Sequence, residues 1–191
     1  MESCFPYIDS CTSISATGRH PPASFVFKGG MLVSAGLIAV FWWMHAHCLR
    51  SIGIAGAKPA VMQWLGWLAV VGLILYVTVL GEVGDWWRTQ RRIGTILFFS
   101  FTFLAQLLLA SMFRQSGEQL GAIGEITGRR MLRIAQLMLA IGLISVGIQA
   151  VDDTLHDRVE DAVEWQLALL LQINFLLCAL FWRRTHWRLI L

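Results

Sequence analysis

Charge is scarce in this chain. Asp, Glu, Lys and Arg make up only 14% of its 191 residues, against 57% hydrophobic, where a soluble domain carries about a quarter charged residues. That balance excludes an ordinary soluble globular protein. No GxSxG, HExxH or phosphate-binding glycine loop occurs, so the common hydrolase, zinc-protease and nucleotide-binding signatures are missing. No series of carboxylates falls inside the apolar runs, which argues against a proton-coupled transporter. No internal repeat is visible, and no runs pair as halves of a duplicated transporter. Residues 1–26 lack a basic start followed by an apolar core, so no cleavable signal peptide is expected.

What is present is five long apolar runs, at about residues 27–47, 61–80, 93–113, 131–151 and 162–182. Each matches the roughly 20 residues that cross a bilayer as a helix. The expected fold class is an all-α integral membrane protein: a five-transmembrane-helix bundle with an ordered, non-helical N-terminal exoplasmic segment. Residues 1–191 form one membrane domain, with no room for a soluble catalytic module. Residues 1–26 lead in, and 183–191 form a basic tail. The connections read as loops at 81–92, at 114–130 and at 152–161. Gly117, Gly121, Gly124 and Gly128 read as flexibility in the second.

Five spans put the termini on opposite sides, and charge chooses between them. One side holds Arg50, Lys58, Arg114, Arg129, Arg130, Arg133, Arg183, Arg184 and Arg188. The other holds Arg19, Lys28, Arg88, Arg91, Arg92 and Arg158. The positive-inside rule then sets the C-terminus in the cytoplasm and the N-terminus outside, with a plasma or inner membrane favoured. Acidic residues sort more sharply, since only Glu118 and Glu125 fall on the inner side.

The tryptophans read as interfacial anchors: Trp42, Trp43, Trp64, Trp67, Trp182 and Trp187 near the inner boundary, Trp86, Trp87 and Trp165 near the outer. His45 and His47, two apart at a boundary, read as polar anchors rather than metal or haem ligands. His156 and His186 have no partner at ligand spacing. Neither a metal site nor a cofactor is expected, although a bound phospholipid is compatible with the pattern. Gln106, Gln136, Gln149, Gln172 and Asn174 lie inside spans and read as hydrogen-bonding glue between helices. Cys4 and Cys11 share the outer segment, and a disulfide and two free thiols both remain open. Cys48 sits at the inner end of the first span, where palmitoylation is conceivable. Cys178 reads as a small buried hydrophobe.

The N-terminal stretch combines Phe5, Pro6, Tyr7, Ile8, Asp9 and Ser10 with Thr17, Gly18, Arg19, Pro21 and Pro22. Its aromatics and prolines suit a fixed shape folded over one mouth of the bundle. Glu82, Asp85, Arg88, Arg91, Arg92, Asp161, Glu164 and Trp165 gather at the same boundary. Glu164 is expected to pair with Arg91 or Arg92, because a carboxylate near the hydrocarbon edge is costly alone. The same arginines could hold a lipid phosphate under the N-terminal segment.

FPYIDS followed by ISATGRHPPAS, directly before a span, resembles the "FPYIS…TG..PP" signature of the Frag/DRAM/Sfk family. Glu164-Trp165 resembles the "EW" that opens that family's last span, and Gly94 resembles the glycine of its "H..GA" helix. The matched positions are Phe5, Pro6, Tyr7, Ile8, Ser10, Thr17, Gly18, Pro21, Pro22, Gly94, Glu164 and Trp165. The family's usual first span, ahead of the signature, has no counterpart here. Its histidine aligns with Arg91. The family includes autophagy modulators and a GPI-anchor remodelling factor, so the resemblance implies a protein acting on or through membrane lipids.

Three readings follow. The favoured one is a non-enzymatic lipid-associated or lipid-homeostasis factor, partnered by membrane lipids and by no nucleic acid. The second is a lipid-remodelling acyl-transfer enzyme with Asp9, Glu82 or Glu164 as general base. The third is an accessory subunit of a larger membrane complex. The orientation is directly testable: a cysteine introduced within 152–160 should react with an impermeant reagent in intact cells. Labelling only after permeabilisation would reverse the assignment.

Overall fold

The five apolar runs fold as five long helices in a computed structural model, which describes residues 4–54 and 56–185. Two single helical turns come first, α1 (Pro6–Asp9) and α2 (Ile14–Thr17). The long helices are α3 (Ala23–Ser51), α4 (Lys58–Thr78), α5 (Asp85–Gln115), α6 (Gly117–Val151) and α7 (Asp153–Thr185). All five are long and apolar enough to cross a membrane. The tail from His186 onward, with Trp187 and Arg188, lies outside the described residues.

The helices outrun the apolar runs. Residues 117–130 and 153–161, expected as loops, are helical, and α5 begins at Asp85 rather than near residue 93. At 1.5 Å per residue a helix as long as α6, 35 residues, extends about 50 Å, well past a hydrocarbon core of about 30 Å. A helix satisfies its own backbone in water as in lipid, so a polar flank continues it where hydropathy alone marks an end. Gly121, at φ 67° and ψ −178°, kinks α6 near its start. Gly128, after it, is a packing position: a methyl there would stand 2.6 Å from the Arg114 amide nitrogen. The N-terminal segment is not wholly non-helical either. Pro6 opens α1, and the Ser13 hydroxyl caps α2 by accepting from the Ala16 amide at 3.2 Å.

Sequential helices pack as neighbours, α3 on α4, α4 on α5, α5 on α6 and α6 on α7. The closest approach is between α4 and α5. A methyl on Gly94 would stand 2.6 Å from the Tyr76 amide nitrogen, and one on Gly72 would stand 2.7 Å from that of Phe98. Lipid tails are as apolar as side chains, so helices associate through such small-residue contacts and through hydrogen bonds. One polar lock joins α5 to α7: Gln106 Nε2 donates to the Leu171 carbonyl at 3.1 Å, and Asn174 Nδ2 donates to Gln106 Oε1 at 3.0 Å. Gln136, Gln149 and Gln172 are exposed instead, and the helix-to-helix side-chain bonds among the described residues do not include them.

Large side chains fill the half of the bundle nearer the C-terminus, with Trp42, Leu49, Met62, Leu109, Phe113, Met131 and Phe181 in one buried cluster. Trp42 is therefore core rather than anchor, its ring seated on Gly66. His45 is likewise fully buried, its Nδ1 2.9 Å from the Phe41 carbonyl and its ring stacked with Trp182. The expected interfacial role fails for both because they occupy the inward face of α3. Trp43 and Trp64 stay exposed, as do Trp86 and Trp87. Cys48 and Cys178 are buried free thiols, Cys178 at 3.9 Å from the Met131 sulfur.

The tight α4–α5 seam predicts opposite outcomes for two glycines. Gly94→Ala should lower stability by about 1–3 kcal/mol through overpacking against the α4 backbone. Gly36→Ala, where a methyl meets nothing within 4 Å, should be neutral or stabilising by up to about 1 kcal/mol. Thermal unfolding of the purified protein in detergent separates the two.

Candidate functional site

Residues 4–22 form a lid. The Cys4–Cys11 disulfide closes a loop around α1, deciding the pairing that composition left open. This loop docks on the third and fourth turns of α7. The Ser10 hydroxyl accepts from the Ala162 amide at 3.1 Å, Trp165 Nε1 donates to the Thr12 carbonyl at 2.8 Å, and Gln166 Nε2 donates to the Tyr7 carbonyl at 2.9 Å. The rings of Tyr7 and Trp165 meet at 5.5 Å. Trp165 is thus a lid receptor as well as a boundary residue. Phe5 stacks on Tyr7 but stays 56% exposed, and Ile8 is 75% exposed, so only Tyr7 of these apolar residues is covered by the bundle.

The lid's other end reaches α4. Gly18 lies directly against the Phe27 ring, and the Arg19 carbonyl is placed so that a side chain on Gly81 would stand 2.9 Å from it. Gly81 holds φ +90°, a conformation that favours glycine. The lid therefore spans from α7 to the α4–α5 turn. Asp9 turns back on the lid, accepting from the Phe5 amide at 2.6 Å. Pro22 is the exposed N-cap of α3.

The expected ion pair does not form. Arg91 donates to the carbonyls of Glu82 at 2.7 Å and Val79 at 3.4 Å. Val79 is the C-cap of α4, where helix-end carbonyls carry negative partial charge, and Glu82 lies in the turn just beyond it. The guanidinium satisfies its own seam. Among the described residues the salt bridges are Arg88–Asp85, Arg129–Glu125 and His156–Glu160, and Glu164 enters none. Arg92 is exposed, and the side chains of Glu82 and Asp85 face away from the bundle.

Glu164 instead stands at the junction of two apolar spaces. The first, about 260 Å³, lies beneath the lid among α3, α4, α5 and α7, with Ile14 as roof and Tyr76, Phe98, Glu164 and Leu171 among its walls. The second, about 630 Å³, is a cleft among α5, α6 and α7, lined by Phe99, Leu104, Leu143 and Leu167 and by the polar Ser145, His156 and Glu160. Thr95, Phe99 and Glu164 border both. Together they offer room for an acyl chain entering sideways, with polar groups at one end.

That polar end was not anticipated. His156, Glu160 and Glu164 recur every fourth residue and so share one face of α7, a spacing visible in the sequence. His156 Nε2 lies 3.4 Å from the Ser145 hydroxyl, and its Nδ1 lies 3.8 Å from Glu160 Oε2. Asp157 joins His156 and Glu160 to place three ligand-type atoms within 4.8 Å of one another. Two of the three residues are exposed carboxylates, short of the closed four-ligand shell of a structural zinc site. Asp152, between α6 and α7, caps α7 through bonds to the Thr154 hydroxyl, the Leu155 amide and the Thr154 amide. The Thr154 hydroxyl bond and then the backbone bonds hold its carboxyl below the usual range. The cap is therefore complete above that range and is lost as pH falls through the lowered value.

The family model described as the Frag1/DRAM/Sfk1/Cwh43P N-terminal domain matches residues 3–182. The match takes in the lid and the membrane-spanning part of all five long helices. No curated protein and no solved structure matches the chain significantly.

The lid's docking is testable by limited proteolysis after reconstitution. Trp165→Phe keeps the ring contact but removes the bond to Thr12, at a cost of about 1 kcal/mol. Cleavage at Arg19 should quicken in this variant and quicken further on reduction of Cys4–Cys11. Cleavage as fast in the unreduced wild type would make the segment a mere tail.

Proposed function

The chain belongs to the Frag1/DRAM/Sfk1 family and is a multi-pass integral membrane protein, and from that premise we propose that it is a non-enzymatic, lipid-associated factor that holds a membrane lipid under its lid. The observation that carries this reading is the meeting of the side cleft and the lidded chamber at Thr95, Phe99 and Glu164. An acyl chain entering between α5 and α7 would bury apolar surface at about 25 cal/mol per Å² relative to water. Since lipid already surrounds the bundle, selectivity must come from the polar end and from the lid. The lid face is taken as exoplasmic. Two features support this: the excess of arginine on the opposite face, and the lid disulfide, a bond that persists in oxidising compartments.

A second reading, acyl transfer, is favoured by one observation: the order Ser145, His156, Glu160 at the lip of the cleft. In it His156 takes the proton of the Ser145 hydroxyl as the oxygen attacks a lipid ester carbonyl. His156 then passes the proton to the departing alcohol, leaving the acyl group on Ser145 for a second hydroxyl. This moves the general base from Asp9, Glu82 or Glu164 to His156.

Reconstitution with a phospholipid carrying a photoreactive acyl chain tests both. Crosslinks should concentrate at Phe99, Leu143 and Ala168, and Ala168→Trp, which fills the chamber, should remove those beneath the lid. Equal labelling of the outward α3 positions Leu37 and Val40 would overturn the lipid-holding reading. An acyl adduct on Ser145, absent in Ser145→Ala, would replace it with acyl transfer.

A further inference from the structure

A separate groove lies at the opposite end of the bundle. There α5 and α6 part around about 500 Å³. Its rim carries three guanidiniums, Arg114 in the last turn of α5 and Arg129 and Arg133 on α6, with a single carboxylate, Glu125. The walls below are apolar, formed by Phe103, Leu107 and Leu139 among others. Arg129 reaches Glu125 at 3.6 Å with both side chains about half exposed, a pair of little strength in water. Arg114 and Arg133 make no hydrogen bond or ion pair among the described residues. Three cations against one anion leave the rim with an excess of two positive charges.

Depth fits a lipid. From Arg129 to Leu139 the helix rises about 15 Å, half of a hydrocarbon core. Charged groups therefore stand at headgroup level where the apolar walls begin, and the walls reach the middle of the membrane. We infer that this groove binds one anionic phospholipid from the leaflet on the C-terminal face, its phosphate held by Arg114, Arg129 and Arg133 and an acyl chain laid along Phe103, Leu107 and Leu139. Guanidinium forks match phosphate oxygens in geometry as well as charge. Among the described residues two of these three arginines spend none of their donors, so phosphate binding breaks no contact described for them. A free phosphate would satisfy the rim and leave the apolar walls unused, whereas a zwitterionic lipid would bring its own cation against the excess charge. The arginine rim shares no residue with the lidded chamber, although two of the apolar walls, Phe103 and Leu139, also border the side cleft.

Native mass spectrometry of the full chain in detergent tests the inference, with phosphatidic acid, phosphatidylcholine and inorganic phosphate as probes. Phosphatidic acid should be retained over phosphatidylcholine, and inorganic phosphate at the same concentration should not displace it. Arg129→Gln/Arg133→Gln should weaken retention by about tenfold or more, the range for loss of hydrogen bonds to a charged group. Gln136→Trp, at an exposed groove position, should weaken it with the charge unchanged. Arg88→Gln/Arg158→Gln, which removes two exposed charges from the other face, should leave it within about twofold because screening confines charge effects to the local site. Equal loss in that control would reduce the effect to overall charge and overturn the site. So would wild-type retention by both groove variants. Displacement by inorganic phosphate would make it a soluble-anion site instead.

Discussion

Gln106 holds the centre of the bundle. α5 and α7 touch little elsewhere, yet its amide donates to the Leu171 carbonyl while its carbonyl accepts from Asn174. In hydrocarbon such bonds are worth roughly 0.5–2 kcal/mol each, and they specify which residues face one another. Toward the C-terminus of that lock, aromatic and aliphatic side chains fill the interior. Toward the lid, the same two helices stand apart around the chamber at Ile14, Tyr76 and Glu164. The cavity exists because the helices are joined at mid-depth and at their C-terminal half but not at the lid end.

That gap explains the lid. Thr12 and Tyr7 offer carbonyls to side chains on the fourth turn of α7, and Ser10 offers its hydroxyl to the Ala162 amide. Gly18 and Gly81 permit the close backbone approaches at the far end. The residues Phe5-Pro6-Tyr7-Ile8 and Pro21-Pro22, which carry the family signature, thus lie in the lid rather than in any span. Gly94, another matched position, works at the α4–α5 seam, where its place beside Tyr76 leaves no room for a side chain.

Helix number and order were legible because about 20 apolar residues in a row have few alternatives. Helix lengths were not, since residues 117–130 are polar and glycine-containing and still continue α6. Burial within a span was also hidden: Trp42 and His45 have the composition of an interface and the positions of a core, and hydropathy does not record rotation about the helix axis. The Arg91–Glu164 pairing failed for a related reason. Charge complementarity is one way to satisfy a guanidinium, but the carbonyls at and just after the end of α4 are nearer in the chain and already in place. The four-residue spacing of His156, Glu160 and Glu164 was readable, whereas the approach of Ser145 depends on the one-residue turn at Asp152.

The two grooves beside α6 also limit what the protein can do with lipid. Phe103 and Leu139 border both the arginine-rimmed groove and the cleft that leads to Glu164. A single trough therefore follows α5 and α6 across the bundle, polar at both ends and apolar at its middle. A phosphate crossing that middle would lose its water with no donor to replace it, at a cost of several kcal/mol or more. Such a trough suits acyl chains entering from each leaflet and meeting near Phe103. It does not suit a headgroup passing through, because transport of that kind needs polar groups at mid-depth. Of the two polar residues buried at that depth on α5, Gln106 has both ends of its amide engaged within the protein, and Thr102 lines neither groove. The arrangement therefore supports the proposed reading, in which lipid is held, over one in which it is moved across.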